Sequence, residues 1–250
     1  MVHRGGNPGL EELHGKLLAA SDALKIWGWD SPAGRQRVAR RVTWLRDVCG
    51  LRPGVQAMEC GCGTGIFTRG LAESGAQLTA VDISEDLLEI ARAECTAPNI
   101  TFFQADLEAP ALLPQGHFDA ICGISVLHHL DMPKALPGIR KCLRKDGRFA
   151  FSEPNLANPL NKYYYFVNDE EKRQARGTSP TEMAFRAKEL RDCFEQAGFV
   201  VEGLAFRDFM HPDIPARLIP LARSLEALAE ALPLVRAWSG SLWIWGRNPA

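Results

Sequence analysis

The residues Val55-Gln56-Ala57-Met58-Glu59-Cys60-Gly61-Cys62-Gly63-Thr64-Gly65 decide the fold of this chain. A short apolar run ends in an acidic residue, and a loop with glycine at every second position follows. The next residues, 66–72, are compatible with a helix. Glycines at a strand-to-helix turn allow positive φ and let a ligand approach the backbone without a Cβ in the way. The stretch therefore predicts a ligand-binding turn at the carboxyl edge of a parallel sheet.

The spacing of the loop differs from the dinucleotide-binding fingerprint. Gly-x-Gly-x-x-Gly would need a glycine at position 66, where the chain has Ile66. A third glycine one residue early, in a loop opened by a carboxylate, resembles motif I of the class I S-adenosylmethionine-dependent methyltransferases. In that family the acid faces the methionine end of the cofactor and the glycines pass beneath it. The resemblance implies that the cofactor is bound by Glu59, Gly61, Cys62, Gly63 and Gly65.

Length and composition indicate one globular domain over residues 1–250. The 46% hydrophobic content supports a sizeable core, and 24% charged residues is ordinary for a globular protein. The net charge of −1, from 29 basic and 30 acidic residues, suggests neither nucleic acid nor an anionic membrane surface as a partner. No apolar run approaches the roughly 20 residues that span a bilayer, and the N-terminus lacks a signal-peptide core. We therefore expect a cytoplasmic protein.

The seven cysteines are odd in number and scattered, and most lie in apolar segments. Reduced, buried thiols are the expected state. The pair Cys60-Gly61-Cys62 lacks a second ligand pair at a recognisable spacing, so the sequence predicts no metal site.

The first fifty residues predict a helical cap, 1–50, ahead of the glycine loop. Residues 1–20 are polar and glycine-rich at first, which predicts a frayed start. Apolar residues at helical spacing then define one face, made of Val38, Val42, Leu45, Val48 and Leu51. Two tryptophans, Trp27 and Trp29, precede that helix around a glycine. They would either form a lid over a ligand or pack the helix against the sheet.

Acidic residues end the next two predicted strands. Asp82 closes the strand 77–82 about 20 residues beyond the loop, where a carboxylate can bind both hydroxyls of a ribose. This spacing is shared with dinucleotide enzymes, and Asp82 could instead cap the following helix, although Ser84 can do so as well. Asp106 ends the strand 99–106, where the resemblance implies contact with the adenine amine; a loop-capping role is the alternative. The resemblance also assigns Ile83, Leu107, Gly123 and Ile124 to the cofactor pocket.

Two adjacent histidines follow the most apolar strand of the chain. The stretch 118–130 runs from Phe-Asp through a buried strand into Ser-Val-Leu-His-His-Leu, which closely resembles the fourth motif of small-molecule methyltransferases. A helix capped by Asp131 leads to the strand 148–153, which ends in Glu153. We expect His128 and His129 to act as acid–base or substrate-facing residues, with Glu153 orienting one of them.

The strand and helix pattern breaks after this point. All three tyrosines of the chain, Tyr163, Tyr164 and Tyr165, lie in a polar stretch. They predict a substrate-binding lid inserted at 156–185 with an aromatic wall, or else a surface helix packed by its aromatic side chains. A capping box at 179–182 predicts the start of a helix that stops at Gly198. Two strands, 199–206 and 241–247, then flank an amphipathic helix whose leucines are Leu218, Leu221, Leu225, Leu228 and Leu232.

Together these features predict a three-layer, Rossmann-like α/β fold with a mostly parallel sheet, an antiparallel C-terminal strand and helices on both faces. The resemblance implies S-adenosyl-L-methionine as cofactor and methyl transfer to a small, partly apolar acceptor through oxygen, nitrogen or carbon. The alternatives are an NAD-dependent oxidoreductase, which the early third glycine and the final strand pair oppose, and an inactive S-adenosylmethionine-binding protein. The intact His128, His129 and Glu153 oppose the latter. The acceptor and the oligomeric state are left open.

Overall fold

The computed structural model of the protein describes residues 7–109, 112–167, 171–172, 178–179 and 182–249. Seven strands form one sheet in the order β3-β2-β1-β4-β5-β7-β6. The strands are β1 Gln56–Cys60, β2 Gln77–Asp82, β3 Ile100–Gln104, β4 Phe118–Ile124, β5 Leu143–Pro154, β6 Val200–Arg207 and β7 Ser241–Arg247. The pairs among β1 to β5 are parallel, whereas β7 is antiparallel to β5 and to β6. The predicted mixed sheet with its antiparallel C-terminal strand is confirmed.

Helices connect these strands. They are α1 Pro8–Ala19, α2 Ala23–Ile26, α3 Pro32–Cys49, α4 Ile66–Ala72, α5 Glu85–Glu94, α6 Met132–Cys142, α7 Pro159–Lys162, α8 Ala187–Gln196, α9 Ile219–Ala231 and α10 Pro233–Arg236. Single turns of other helix types occupy Leu127–His129, Tyr163–Val167 and Ala216–Leu218. Within the part of the chain that the structure describes, no helix is both long and apolar enough to cross a membrane.

Side chains alternate along each strand, so each strand presents residues to both faces of the sheet. Helices cover both faces and bury them. On one face, small residues such as Ala57 and Ala120 pack with Leu45 of α3 and Leu71 of α4. On the other face, larger residues of β1, β4 and β5 pack with α6 and α8. The rings of Phe149 and Phe194 stack there with their centroids 4.6 Å apart. The predicted helices on both faces are therefore confirmed.

The N-terminal segment is more ordered than the sequence suggested. Residues 1–6 lie outside the described part of the chain, but a frayed start is wrong for residues 8–19, which form α1. The side chain of Asn7 caps this helix by accepting the N–H of Leu10 at 3.3 Å. A Cβ at Gly15 would lie 2.4 Å from the side chain of Ser84, so glycine lets α1 approach the start of α5. Tertiary packing thus stabilises a helix whose own sequence gave a weak signal.

The helix expected from the capping box at 179–182 begins later. Positions 180 and 181 lie outside the described residues, and residues 182–186 are not helical; α8 starts at Ala187. The hydroxyl of Ser179 donates a hydrogen bond to Glu11 of α1 at 2.8 Å. The predicted helix start is wrong because this serine is used in a contact between distant segments.

A buried ion pair fixes α3 against the end of the sheet. Arg41 is 2% exposed, and its guanidinium lies 2.7 Å from the carboxylate of Asp208 and donates to the Ser241 hydroxyl at 3.0 Å. The same guanidinium lies over the ring of Trp29, 5.0 Å from its centroid. Burial raises the pKa of Asp208, but Arg41 and its neighbours Arg37 and Arg40 outweigh burial and hold that pKa below its usual value. This pair holds Trp29 and α3 beside the glycine loop.

We expect Asp208→Asn to destabilise the fold by about 3–5 kcal/mol, because it leaves the guanidinium of Arg41 buried without its counter-charge. Urea denaturation at neutral pH measures this loss. Because the pKa of Asp208 is lowered in the folded state, its contribution is present above the unfolded value of about 4 and is lost as the pH falls. Asp213→Asn removes the same charge from a side chain that is 90% exposed and serves as the control. Equal stability of the two variants would contradict the assignment.

Candidate active site

A cavity of about 290 Å³ lies at the carboxyl edge of the parallel strands. It is at the small end of the range for ligand sites, because α1 and residues after β5 close over it. The loops that follow β1, β2, β3 and β4 line it, as expected where parallel strands end at one edge. Eight residues predicted to bind the cofactor lie on its wall: Gly61, Cys62, Gly63, Asp82, Ile83, Asp106, Leu107 and Ile124.

The glycines of the loop have different structural requirements. Gly61, Gly63 and Gly65 all have positive φ. A Cβ at Gly61 would lie 2.4 Å from Val126, so that glycine is required by packing. At Gly63 the nearest atom to a Cβ is the Trp27 ring at 3.6 Å, so this backbone is open to the cavity beneath that ring. Gly65 does not line the cavity; it precedes α4. Trp27 thus covers the loop.

Trp29 has mainly a packing role, which is the second of the two roles expected for the tryptophan pair. Its ring contacts Phe67 of α4 edge-on, with centroids 5.4 Å apart, and it also lines the cavity. It therefore packs the helices together, while Trp27 lies over the ligand-binding turn.

Two residues predicted to bind the cofactor lie beneath the loop instead of on the cavity wall. Glu59 is 3% exposed and accepts a hydrogen bond from the hydroxyl of Thr68 at 2.6 Å. Burial raises the pKa of Glu59 to about 7, although the hydrogen bond from Thr68 opposes the shift. A Cβ at Gly123 would lie 2.9 Å from the carbonyl oxygen of Cys60. Cofactor contact by Glu59 and Gly123 stays a prediction.

Asp82 presents a nearly buried carboxylate to the cavity. One oxygen accepts the N–H of Gly63 at 2.8 Å and the other accepts the N–H of Ser84 at 3.0 Å. Burial raises the pKa of Asp82, and these two backbone hydrogen bonds act in the opposite direction. The hydroxyl of Ser84 caps α5 by accepting from Leu87 at 3.3 Å. Each oxygen of Asp82 therefore keeps a lone pair for a ligand hydroxyl.

Asp106, on the adjacent loop, has the loop-capping role considered for it, and its contact with the adenine amine stays a prediction. Its carboxylate accepts the N–H of Glu108 at 2.8 Å, which is a local turn, and it also lines the cavity. Asp82 and Asp106 thus provide two acceptors on neighbouring strand ends.

The first histidine of the pair is held by Glu153. His128 Nδ1 lies 2.8 Å from one carboxylate oxygen of Glu153, and both side chains are almost fully buried. The other oxygen accepts the backbone N–H groups of Val126 at 3.1 Å and Leu127 at 2.9 Å. If Nδ1 donates to Glu153, Nε2 of His128 is the ring nitrogen that can accept a proton, and it lies 3.9 Å from a carboxylate oxygen of Glu182. This geometry suits a general base.

The second histidine lies between two other carboxylates. His129 Nδ1 is 2.9 Å from Glu11 of α1, and Nε2 is 3.3 Å from Glu182. Burial alone would lower the pKa of His129, but Glu182, Glu11 and Glu153 raise it to about 9. His129 is therefore a cation at neutral pH.

The ring nitrogens of His128 and His129 and a carboxylate oxygen of Glu182 lie within 4.8 Å of one another. A divalent cation could be held at this spacing only by a neutral His129. The raised pKa of His129 favours the ion pair with Glu182 instead.

One tyrosine of the predicted lid, 156–185, lies at the cavity. Tyr165 lines it, with its ring centroid 6.4 Å from that of His128. Tyr163 is 46% exposed and its ring contacts that of Tyr164 at 5.9 Å; neither lines the cavity. Substrate contact by Tyr163 and Tyr164 stays a prediction, as does the role of Tyr165.

Several residues of the site were not predicted, among them Glu182, Glu11 and Ser125. Glu182 was interpreted only as part of a capping box, and Glu11 lies in the segment expected to be frayed. Ser125, on the cavity wall, has φ of 53°, which is uncommon for a residue other than glycine and typical of functional loops. Nothing local in the sequence pairs Glu11 with His129, because more than a hundred residues separate them.

Sequence comparisons place these features among methyltransferases. A family model described as "Methyltransferase domain" matches residues 58–151. The ubiquinone biosynthesis O-methyltransferase of Bordetella parapertussis is 27% identical over 168 residues, which cover 66% of this chain and 70% of that protein. The protein of the same description from Methylococcus capsulatus is 30% identical over 156 residues, covering 60% of this chain and 65% of that protein.

Structural comparisons agree on the fold. An S-adenosylmethionine-dependent methyltransferase from Mesorhizobium loti superposes with a TM-score of 0.61 at 22% identity, covering 82% of this chain and 96% of that one. The [4+2]-cyclase SpnF superposes with a TM-score of 0.61 at 19% identity, covering 84% of this chain and 80% of that one. At such identities the likeness concerns the fold alone.

We expect Glu182→Gln to lower the pKa of His129 from about 9, because it removes a carboxylate whose negative charge raises that pKa. Ring ¹⁵N chemical shifts followed against pH measure this value, with His129→Asn used to assign the resonance. Because the folded pKa is raised, the stability from this ion pair is fully present below about pH 6.5 and is lost as the pH rises through about 9.

Glu195→Gln, on the exposed side of α8, is the matched control and should leave the titration unchanged. A wild-type His129 that titrates near pH 6.5 would show that the ion pair does not form.

Proposed function

This chain is a class I S-adenosylmethionine-dependent methyltransferase, and from this premise we propose that it methylates a hydroxyl group on a small, partly apolar acceptor. The observation that carries the proposal is the buried pair of His128 and Glu153 at the cavity, 2.8 Å apart. A hydroxyl is a weak nucleophile that needs a base as it is methylated. The relatives described above as O-methyltransferases support the same choice of nucleophile.

The residues of the cavity fit the cofactor. Gly63 offers bare backbone that a side chain would cover, and Asp82 keeps acceptor positions for a pair of hydroxyls. Asp106 and Leu107 border the same space. When bound, S-adenosylmethionine supplies a methyl group that is already activated by a positively charged sulfur. The protein then has to hold the acceptor in line and exclude water.

In our proposal His128 takes the hydroxyl proton. Glu153 accepts the Nδ1 hydrogen bond and leaves Nε2 to receive that proton. The carboxylate of Glu153 then stabilises the positive charge on the imidazolium, as in other carboxylate–histidine pairs. Because Glu153 is itself held by two backbone N–H groups, the imidazole keeps one orientation through this step.

His129 has a different role because it is already protonated. A cation cannot accept the proton of a hydroxyl, so this histidine is not the base. Its charge balances Glu11 and Glu182, which would otherwise place two carboxylates beside the reacting groups. We therefore assign His129 to holding α1 and the end of the predicted lid, 156–185, against the site.

The acceptor side of the cavity is built from the predicted cap, 1–50, and the predicted lid, 156–185. Tyr165 supplies an aromatic wall and Leu18 of α1 an apolar one. The cavity volume of about 290 Å³ is at the small end of the range for ligand sites. The proposal thus favours a compact, partly apolar acceptor. No observation supports the oxidoreductase or the inactive binding protein.

We expect Asp82→Ala to weaken S-adenosylmethionine binding by roughly 1.5–3 kcal/mol, the scale of a hydrogen bond to a charged group. Isothermal titration calorimetry measures this change. Asp86→Ala removes an equal charge from the exposed first turn of α5 and should bind like the wild type. Asp82→Asn keeps the side-chain shape and one acceptor oxygen, and should lose less than the alanine variant. Wild-type affinity in Asp82→Ala would remove this residue from the cofactor site.

We expect His128→Ala to lower kcat about 10²–10⁴-fold with little change in S-adenosylmethionine affinity, because it removes the base but no cofactor contact. The assay is transfer of a labelled methyl group to a panel of small phenols and alcohols. His211→Ala, a half-exposed histidine that does not line the cavity, should retain full activity.

His129→Ala should chiefly raise KM, because this residue holds the cap in place and is not the base. Glu153→Gln should lower kcat like His128→Ala. Retained kcat in His128→Ala would rule out the proposed base and leave this histidine as part of the pocket wall.

A further inference from the structure

The amphipathic helix α9 turns its apolar side outward. Its leucine face consists of Leu218, Leu221, Leu225, Leu228 and Leu232, which are 44–58% exposed. Leu234 in α10 and Trp238 beyond it extend the same region at 87% and 60% exposure. Single exposed leucines are ordinary, but a contiguous stripe of them on one helix marks an interaction surface.

The acidic residues of α9 point the other way. Glu226 is 7% exposed and accepts the backbone N–H groups of Phe209 and Met210. Glu230 forms a two-point ion pair with Arg40 of α3, at 2.6 and 2.9 Å. Both carboxylates are therefore used inside the molecule, and the inward side of α9 is polar. The carboxylates of α9 have their partners inside the molecule, so the polar side of the helix faces inward. The leucines on the opposite side therefore face solvent.

The exposed charged side chains of the segment that carries the leucine face, 216–238, are all positive, whereas Asp213 just before it is 90% exposed. Between residues 216 and 238, every one of which the structure describes, the exposed charged side chains are Arg217, Arg223 and Arg236. Arg217 precedes the leucine face and Arg236 follows it. The overall charge of −1 suggested no anionic surface as a partner, but it averages over acids that are buried in ion pairs here.

This surface continues to the lid. Asn158, which caps α7, donates to the carbonyl of Trp238 at 2.7 Å, and Asn155 donates to that of Ala237 at 3.0 Å. The segment that starts there carries Leu160 and Tyr163, which are 50% and 46% exposed. It ends with Tyr165 on the cavity wall. Aromatic residues at one end of an apolar, cationic helix are typical of segments that lie in a membrane interface.

We propose that the leucine face, with Arg217, Arg236 and Trp238, docks this protein onto an anionic phospholipid surface. A second copy of the chain fits this surface less well. Packing two leucine faces about a two-fold axis would bring Arg217 or Arg236 of one copy against an arginine of the other. Both acids of α9 are already used by Arg40 and by backbone N–H groups, so no acid of this helix would compensate. An anionic lipid surface meets both the leucines and the arginines.

Flotation with vesicles tests the proposal. The full chain should float with vesicles of equal parts phosphatidylglycerol and phosphatidylcholine, and at least tenfold less with pure phosphatidylcholine. Leu221→Glu/Leu225→Glu should reduce the bound fraction at least tenfold. Both leucines are exposed and neither lines the cavity, so thermal unfolding and S-adenosylmethionine affinity should stay unchanged and show that the variant is folded.

Two further variants separate the contributions. Leu112→Glu changes a leucine that is 79% exposed elsewhere on the molecule, and it should float like the wild type. Arg217→Gln/Arg236→Gln should remove the preference for phosphatidylglycerol. Absence of flotation by the wild type, or equal flotation by Leu221→Glu/Leu225→Glu, would overturn the proposal. So would a dimer in analytical ultracentrifugation that the leucine variant abolishes, together with no vesicle binding, because the second copy would then be the occupant.

Discussion

The geometry of the site depends on one buried carboxylate, that of Glu153, which needs hydrogen-bond donors inside the protein. Glu153, at the end of β5, is 1% exposed, and a carboxylate without partners at such a position would be strongly destabilising. The donors come from the residues just past β4, where the chain turns through Ser125 with positive φ and directs the N–H groups of Val126 and Leu127 at Glu153. The next residue is His128. The turn that satisfies Glu153 therefore also fixes the imidazole at the cavity.

The sequence predicted the part of this structure that depends on neighbouring residues. The bounds of β2 and β7 agree with the predicted strands, and the glycine loop, Asp82 and Asp106 follow strands that end at one sheet edge. Short apolar runs and turn glycines determine those features within a few residues of each other. The C-terminal end of the predicted tyrosine lid was harder to define, because Ser179 donates a hydrogen bond to Glu11 instead of capping a helix. A local signature fails where a distant partner provides the stronger contact.

The charges of the two adjacent histidines could not be predicted from the sequence for the same reason. From sequence alone they are equivalent, since both follow the same buried strand. Their difference comes from what faces them: Glu153 lies beside His128, while Glu11 and Glu182 enclose His129. The leucines of α9 are a parallel case. Their spacing predicted an amphipathic helix correctly, but which side faces solvent depends on Arg40, on a helix nearly 190 residues earlier. Periodicity identifies two faces, and only the ion pairs determine which of them is buried.

The same division explains why the cofactor was easier to infer than the acceptor. The half of the cavity that we assign to the cofactor is formed by the residues immediately after β1, β2 and β3, so its chemistry can be inferred from short motifs. The half that we assign to the acceptor is formed by α1 and by Tyr165 and Glu182 of the predicted lid, 156–185, which come from two distant segments. Proteins that share this sheet at about one-fifth identity include one described as a [4+2]-cyclase, so the fold itself does not determine the reaction. In our proposal the reaction depends on the groups beside His128, which include Tyr165 and Glu182. Those groups are brought together only by tertiary structure, which is why their chemistry must be tested on the folded protein.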